Sequence, residues 1–128
     1  MGVLVDTNIL IYHTKGSAIA TDFIGQLLTQ DNLQVSVITE IEFLGWKKHT
    51  SEGFEKCQQL IEKAQVYPLD EVIAHKAIEL RRKSNIGLAD AVIAATAIIN
   101  NLRLATRNVN DFRTVEGLEF VNPFTVEP

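Results

Sequence analysis

Four acids stand apart from the chain's other carboxylates because each sits at the edge of an apolar segment: Asp6 in VLVDTN, Glu42 in TEIEF, Asp90 in GLADAV and Asp111 in NVNDF. An acid ending a strand, or opening a buried helix, can deliver one oxygen to a shared pocket. Three or four such oxygens are the donor set that hard cations such as Mg²⁺ and Mn²⁺ take, and a cation held in this way acts on phosphodiesters. Each acid also has an ordinary structural reading. Asp6-Thr7-Asn8 is good capping chemistry at a strand-to-helix turn. Thr39-x-x-Glu42 satisfies a capping-box pattern with Ser36 or Thr39 as the N-cap. Asp90 is a first-turn acid of the kind the helix dipole favours, although its flanks Leu88, Ala91 and Val92 make an unpaired carboxylate costly. Asp111 fits a turn as well as an outer ligand. Glu40 rivals Glu42: two residues turn a helix by about 200°, so only one of the pair faces a pocket directly, and the apolar spacing leaves both open.

For these acids to meet, the elements around them must deliver them to one edge. Val3 to Val5 is a short β-branched run ending at Asp6, and Asn8 to Tyr12 continues as a helix. Ala18 to Thr29 places Ile19, Phe23, Ile24, Leu27 and Leu28 on one helical face, with a turn at Asp31-Asn32. Leu33 to Ser36 reads as a strand, Val37 to about His49 as a helix, Phe54 to Ala64 as another amphipathic helix, and Tyr67-Pro68-Leu69 as a break between helices. Glu71 to Lys83 is a helix with a basic end, closed by the turn chemistry of Asn85-Ile86-Gly87. Leu88 to Ile99 is apolar nearly all round, which predicts a helix buried in the centre of the fold. Leu102 to Thr106 and Glu119 to Val121 are the remaining strands. Strands alternating with helices predict an α/β fold with a parallel sheet covered on both faces. In such folds ligands bind beyond the carboxyl ends of the strands, where Asp6 stands at one strand end and Thr106, Asn108 and Asp111 follow a neighbouring one.

The remaining composition bounds the class. The chain of 128 residues fits a single domain, residues 1–128, with no repeat or low-complexity segment. Cys57 is the one cysteine, and its spacing to Leu60, Ile61 and Ala64 makes it a packed thiol in a reducing, cytoplasmic compartment. No basic and apolar leader opens the chain, and no apolar run reaches the roughly 18 residues that span a bilayer. A net charge of -4 argues against a passive nucleic-acid binder, but an enzyme that holds its substrate through a cation escapes that objection.

With these residues assembled, the sequence resembles the PIN-domain ribonucleases, and among them the VapC-type toxins of toxin-antitoxin pairs. The resemblance covers nearly the whole chain: VLVDTNILI at the start, SVITEIEFLG in the first third, GLADAVIAATA late, and ATRNVNDF followed by GLEFVNPF at the end. It implies a three-layer α/β/α fold around a central, mostly parallel twisted sheet, and it carries the family's three central metal-binding acids onto Asp6, Glu42 and Asp90, thereby selecting Glu42 over Glu40. Many relatives have a fourth acid where this chain has Asn108, which leaves the fourth ligand open: Asn108 through water, or Asp111 through water or on a second ion, with Asp111 as a turn cap the ordinary alternative. Thr7, Asn8 and Thr106 are supporting residues. Arg81, Arg82, Lys83 and Arg107 are candidate contacts to RNA phosphates, set against their ordinary role as solvated surface charges.

The expected function is a Mg²⁺- or Mn²⁺-dependent endoribonuclease that leaves 5′-phosphate and 3′-hydroxyl ends. The resemblance further implies an antitoxin partner whose arginine or lysine enters the acidic cleft, and a homodimer, for which Phe23, Phe43, Trp46 and Phe54 offer apolar area. Rival readings fail on particular residues. A haloacid-dehalogenase-like phosphatase needs an acid where Asn8 stands, and a receiver domain needs paired acids ahead of the phospho-acceptor. A dinucleotide-binding domain needs a G-x-G-x-x-G turn, which is absent. His13, His49 and His75 show no metal-ligand spacing. A PIN-fold RNA-processing nuclease without an antitoxin and a non-catalytic interaction module remain as alternatives.

Overall fold

The computed structural model describes residues 2–125; residue 1 and residues 126–128, the ends of the expected single domain, lie outside the described residues. The chain runs β1 (Val3–Val5), α1 (Thr7–Thr14), α2 (Ala18–Thr29), β2 (Gln34–Ser36), α3 (Val37–Leu44), α4 (Ser51–Glu62), β3 (Gln65–Tyr67), α5 (Glu71–Lys83), α6 (Leu88–Ile99), β4 (Arg103–Ala105), α7 (Val109–Phe112) and β5 (Phe120–Val121). Every strand pairing is parallel. β4 lies between β1 and β5, with Val5 opposite Ala105 and Ala105 opposite Val121, and β2 pairs with β3, Gln34 opposite Gln65. β2 lies against β1 without a hydrogen-bonded ladder; the Gln34 side-chain amide donates to the Val3 carbonyl instead, at 3.4 Å.

The strand period of two divides the core between the faces of this sheet. On β1, Leu4 packs on one side with Leu104, Ile73, Leu80, Ile93 and Phe112, while Val3 and Val5 pack on the other with Ile9, Leu10, Ile24, Val35, Phe43 and Ile61. Helices α5, α6 and α7 therefore cover one face and α1 to α4 the other, which is the expected three-layer α/β/α arrangement. Residues 91–97 of α6 are all buried, as its uniformly apolar sequence requires. Among the described residues no helix is long and apolar enough to cross a membrane.

Three expectations are corrected. Residues 65–67 form a strand, part of which was read as a break; three residues with an exposed Gln65 carry no period-two signal, and only pairing with β2 makes them β. Helix α3 ends at Leu44, well before His49. The Gly45 amide still donates to Ile41 O at 2.8 Å, and a Cβ at residue 45 would stand 2.6 Å from that oxygen, so glycine permits the tight exit. Phe43 is fully buried in the core and is unavailable to a partner. The large exposed apolar side chains among the described residues are Ile19, Ile41, Phe54, Leu69, Val72, Ile78, Leu88 and Ile99, six of which belong to α3, α5, α6 or the approach to α5.

Candidate active site

Asp6 sits where β1 gives way to α1. It occupies the N-cap position, yet its side chain makes no capping hydrogen bond; Oδ2 instead accepts a 2.8 Å bond from the Thr106 hydroxyl at the end of β4. The capping reading of Asp6 therefore fails. Parallel pairing of β1 with β4 places residues 6 and 106 side by side, and the Asp6 amide donates to Ala105 O at 2.9 Å. The Thr106 hydroxyl oxygen also accepts from the Asn108 amide at 3.0 Å, so the turn that follows β4 is braced by the same group.

Glu42 reaches this edge from the second turn of α3. The helix is capped by Ser36, whose hydroxyl oxygen accepts from the Ile38 amide, which leaves Thr39 and Glu42 free of the capping box. Thr7 donates its hydroxyl to Glu42 Oε1 at 2.7 Å and lies 3.0 Å from the Thr39 hydroxyl, which can then donate to it. Thr39 is wholly buried. The Thr39–Thr7–Glu42 chain orients the glutamate, and it is Glu42, not Glu40, that faces the strand ends. Thr39 was visible in the sequence only as a candidate cap. Asn8 is half-buried beside Thr7 in the first turn of α1.

Asp90 enters from the first turn of α6 and Asp111 from α7. Burial pushes the Asp6 carboxyl from 3.8 up to about 6, against the Thr106 hydrogen bond and the Thr7 amide, with repulsion from Asp90 and Glu42 adding to the rise; the residue is only 4% exposed. Asp90 is likewise raised, first by burial and then by the charges of Asp111 and Glu42. Asp6, Glu42, Asp90 and Asp111 therefore share one electrostatic neighbourhood. Among the described residues none of them is paired with a lysine or arginine. Nor do any three histidine, cysteine, aspartate or glutamate side chains there stand close enough to enclose an ion as they are. The all-oxygen donor set and the uncompensated negative charge fit a hard divalent cation; the acids interact through space without forming a closed cage.

The candidate phosphate contacts divide. Lys83 lines a polar groove beside Asp90 and pairs with Glu79 at 3.1 Å. Arg107 follows Thr106 and lies over the rings of Phe124 and Tyr12, 4.4 Å and 5.0 Å from their centroids, which fixes its guanidinium near the strand ends. Arg81 and Arg82 line an apolar groove between α5 and α6 with Leu69, Ile78 and Leu88, and Arg81 Nη1 donates to Ile86 O at 3.4 Å. They belong to a different surface from the acids.

Residues 3–118 match the family model described as "PIN domain". The chain is 36% identical over 129 positions to Ribonuclease VapC10 of Mycobacterium tuberculosis, covering 97% of this chain and 94% of that protein. Its fold matches a toxin-antitoxin complex from Klebsiella pneumoniae with a TM-score of 0.80, at 30% identity over 98% of this chain and all of that one. It also matches VapBC-1 from nontypeable Haemophilus influenzae, with a TM-score of 0.81 at 28% identity over 98% of this chain and all of that one.

Proposed function

The chain belongs to the PIN-domain family as a VapC-type ribonuclease toxin of a toxin-antitoxin system, and from that premise we propose that it is a Mg²⁺- or Mn²⁺-dependent endoribonuclease working through Asp6, Glu42 and Asp90. The observation that carries the reading is the buried Asp6 carboxyl, held among like charges with no cation among the described residues paired to it. Burial of a lone carboxylate is unfavourable, and a divalent cation supplies the missing charge. Asp6, Glu42 and Asp90 would hold the ion, with Asp111 or Asn108 contributing through water.

When bound, the ion supplies Lewis-acid stabilisation of the phosphate and lowers the pKa of attacking water. The chain's residues do the positioning. Thr106 fixes Asp6 from the neighbouring strand, Thr7 and Thr39 fix Glu42, and Asp90 closes the third side from α6. Arg107 and Lys83 flank the acids and can meet phosphates of the strand being cut. Among the described residues the histidines are engaged elsewhere, His13 with Thr21, His49 with the Phe43 carbonyl and His75 with Glu71, so in-line attack by water, with release of the 3′-oxygen, would leave 5′-phosphate and 3′-hydroxyl ends.

The antitoxin fits the same charge argument. A guanidinium or ammonium delivered among the acids replaces the cation's charge and blocks the phosphate site, so inhibition and metal compete. The homodimer is assigned to the exposed apolar side chains Ile41, Leu69, Val72, Ile78 and Leu88 rather than to Phe43. Titration with Mn²⁺ tests the site: the wild-type protein takes up Mn²⁺ and cleaves single-stranded RNA, whereas Asp90→Asn, still folded, does neither. Equal Mn²⁺ uptake and cleavage by both proteins would remove the assignment.

A further inference from the structure

Between the α5–α6 turn and α7 lies a groove of about 610 Å³, one wall of which is Asp90. Its other walls are mostly polar: Lys83 from the end of α5, Asn85 from the turn with Ile86 beside it, Asn110 and Asp111 from α7, and Thr114 just after it. Asn85 and Asn110 are exposed, so their amides are free to meet a ligand. We propose that this groove is a nucleotide subsite that receives an unpaired RNA base next to the scissile phosphate and discriminates among bases through Asn85 and Asn110. The inference rests on the ribonuclease reading, since it takes Asp90 to lie beside the phosphate that is cut.

The chemistry is complementary on three counts. The volume lies within the range of small-ligand pockets. A carboxamide presents a donor and an acceptor side by side, which matches the edge of a base, and Thr114 adds a hydroxyl that serves as either. Lys83 supplies a cation at the rim for the adjoining phosphate. Sequence-specific recognition of RNA works on single-stranded bases splayed from their neighbours, and a recess opening beside the reacting centre allows one base to be splayed while the phosphate stays at the acids. Gly87 also lines the groove. Its φ of -68° is ordinary for any residue, and a Cβ built there meets nothing within 4 Å, so a larger side chain is accommodated at the groove without strain.

The test uses Asn85→Ala, Asn110→Ala and Gly87→Leu, with melting curves as the fold control. Cleavage positions are mapped on a pool of random-sequence single-stranded RNA with Mg²⁺ or Mn²⁺, and binding of short RNA oligomers is followed by fluorescence anisotropy in EDTA. The wild type is expected to show a base preference at one position flanking the cut. The asparagine variants weaken that preference about tenfold, as loss of a base-edge contact does, while Mn²⁺ affinity stays unchanged, and Gly87→Leu abolishes it. An unchanged cleavage profile in all three folded variants would overturn the subsite while leaving the nuclease reading intact. A wild type that cuts nothing would overturn the nuclease reading instead, and the anisotropy arm then decides the subsite: oligomer binding weakened by all three variants upholds it as an RNA contact, and equal binding overturns it.

Discussion

The Thr106 hydroxyl donates to Asp6 Oδ2 at 2.8 Å across 100 residues of sequence, so the end of β4 sets the orientation of the acid at the end of β1. That donor favours the charged carboxylate and restrains a pKa that burial drives upward. Thr106→Val removes the restraint. The Asp6 carboxyl is then expected to titrate above its present value of about 6, and the acid limb of the pH–rate profile moves to higher pH. A ¹³C NMR titration of the metal-free variant checks this; an unmoved Asp6 resonance midpoint would show that Thr106 does not govern the acid.

Asp6 also makes stability depend on pH with a defined sign. Its folded pKa, about 6, lies above the ordinary 3.8, so the folded state binds more protons than the unfolded state between those values and stability falls as pH rises through that window. The difference of about two units corresponds to ~3 kcal/mol in all, complete above about pH 6. Asp6→Asn is expected to be more stable than the wild type at pH 7.5 by up to that amount, with the advantage gone at pH 3 and reduced at pH 7.5 by saturating Mg²⁺. Urea unfolding of both proteins at the two pH values is the measurement; a difference independent of pH would contradict the burial argument.

Glu42 and Glu40 are separated by their hydrogen bonds. Because Thr7 donates to Glu42 at 2.7 Å, Glu42→Gln is expected to lose metal-dependent cleavage by about a hundredfold or more, as for loss of a preorganised electrostatic group, while Glu40→Gln stays within a few-fold of wild type. Single-turnover cleavage rates distinguish them. The reverse ranking would mean that α3 turns its other face to the substrate.

What the sequence allowed follows from how local each signal is. Asp6 was legible because VLV followed by Asp-Thr-Asn marks a strand end and a helix start within six residues, and α2, α5 and α6 begin and end at the residues their periodicity and turn chemistry indicate. Leu102 to Thr106 was read one residue too long at each end, against Arg103–Ala105 observed, and residues 65–67 were partly misread, because a three-residue strand is decided by its partner. The choice between Glu42 and Glu40 had no local answer: it depends on Thr7, 35 residues away. The groove at Asn85 and Asn110 was equally hidden, since Asn85 looks like turn chemistry alone and only the packing of α7 beside α6 brings Asn110 opposite.

The apolar surface of α5 and α6 makes its own prediction. Leu88 and Ile78 are exposed and line one groove, so a charge placed there faces solvent in a monomer and a partner in a dimer. Ile78→Glu and Leu88→Glu are expected to convert a dimer at micromolar concentration to a monomer by light scattering, with the thermal midpoint measured at low concentration little changed. Persistence of the dimer in both variants would move the interface elsewhere.

The chemistry of the cut ends separates attack by metal-activated water from attack by the RNA itself. Purified protein, freed of its partner, is incubated with single-stranded RNA in Mg²⁺ or in EDTA, and the product termini are identified by mass spectrometry, with Asp90→Asn alongside. Products with 5′-phosphate and 3′-hydroxyl ends are expected in Mg²⁺, none in EDTA, and none from the variant. Cleavage that persists in EDTA and leaves 2′,3′-cyclic phosphate ends would contradict the metal-dependent mechanism, because such products come from attack by the RNA's own hydroxyl and need no ion held by Asp6, Glu42 and Asp90.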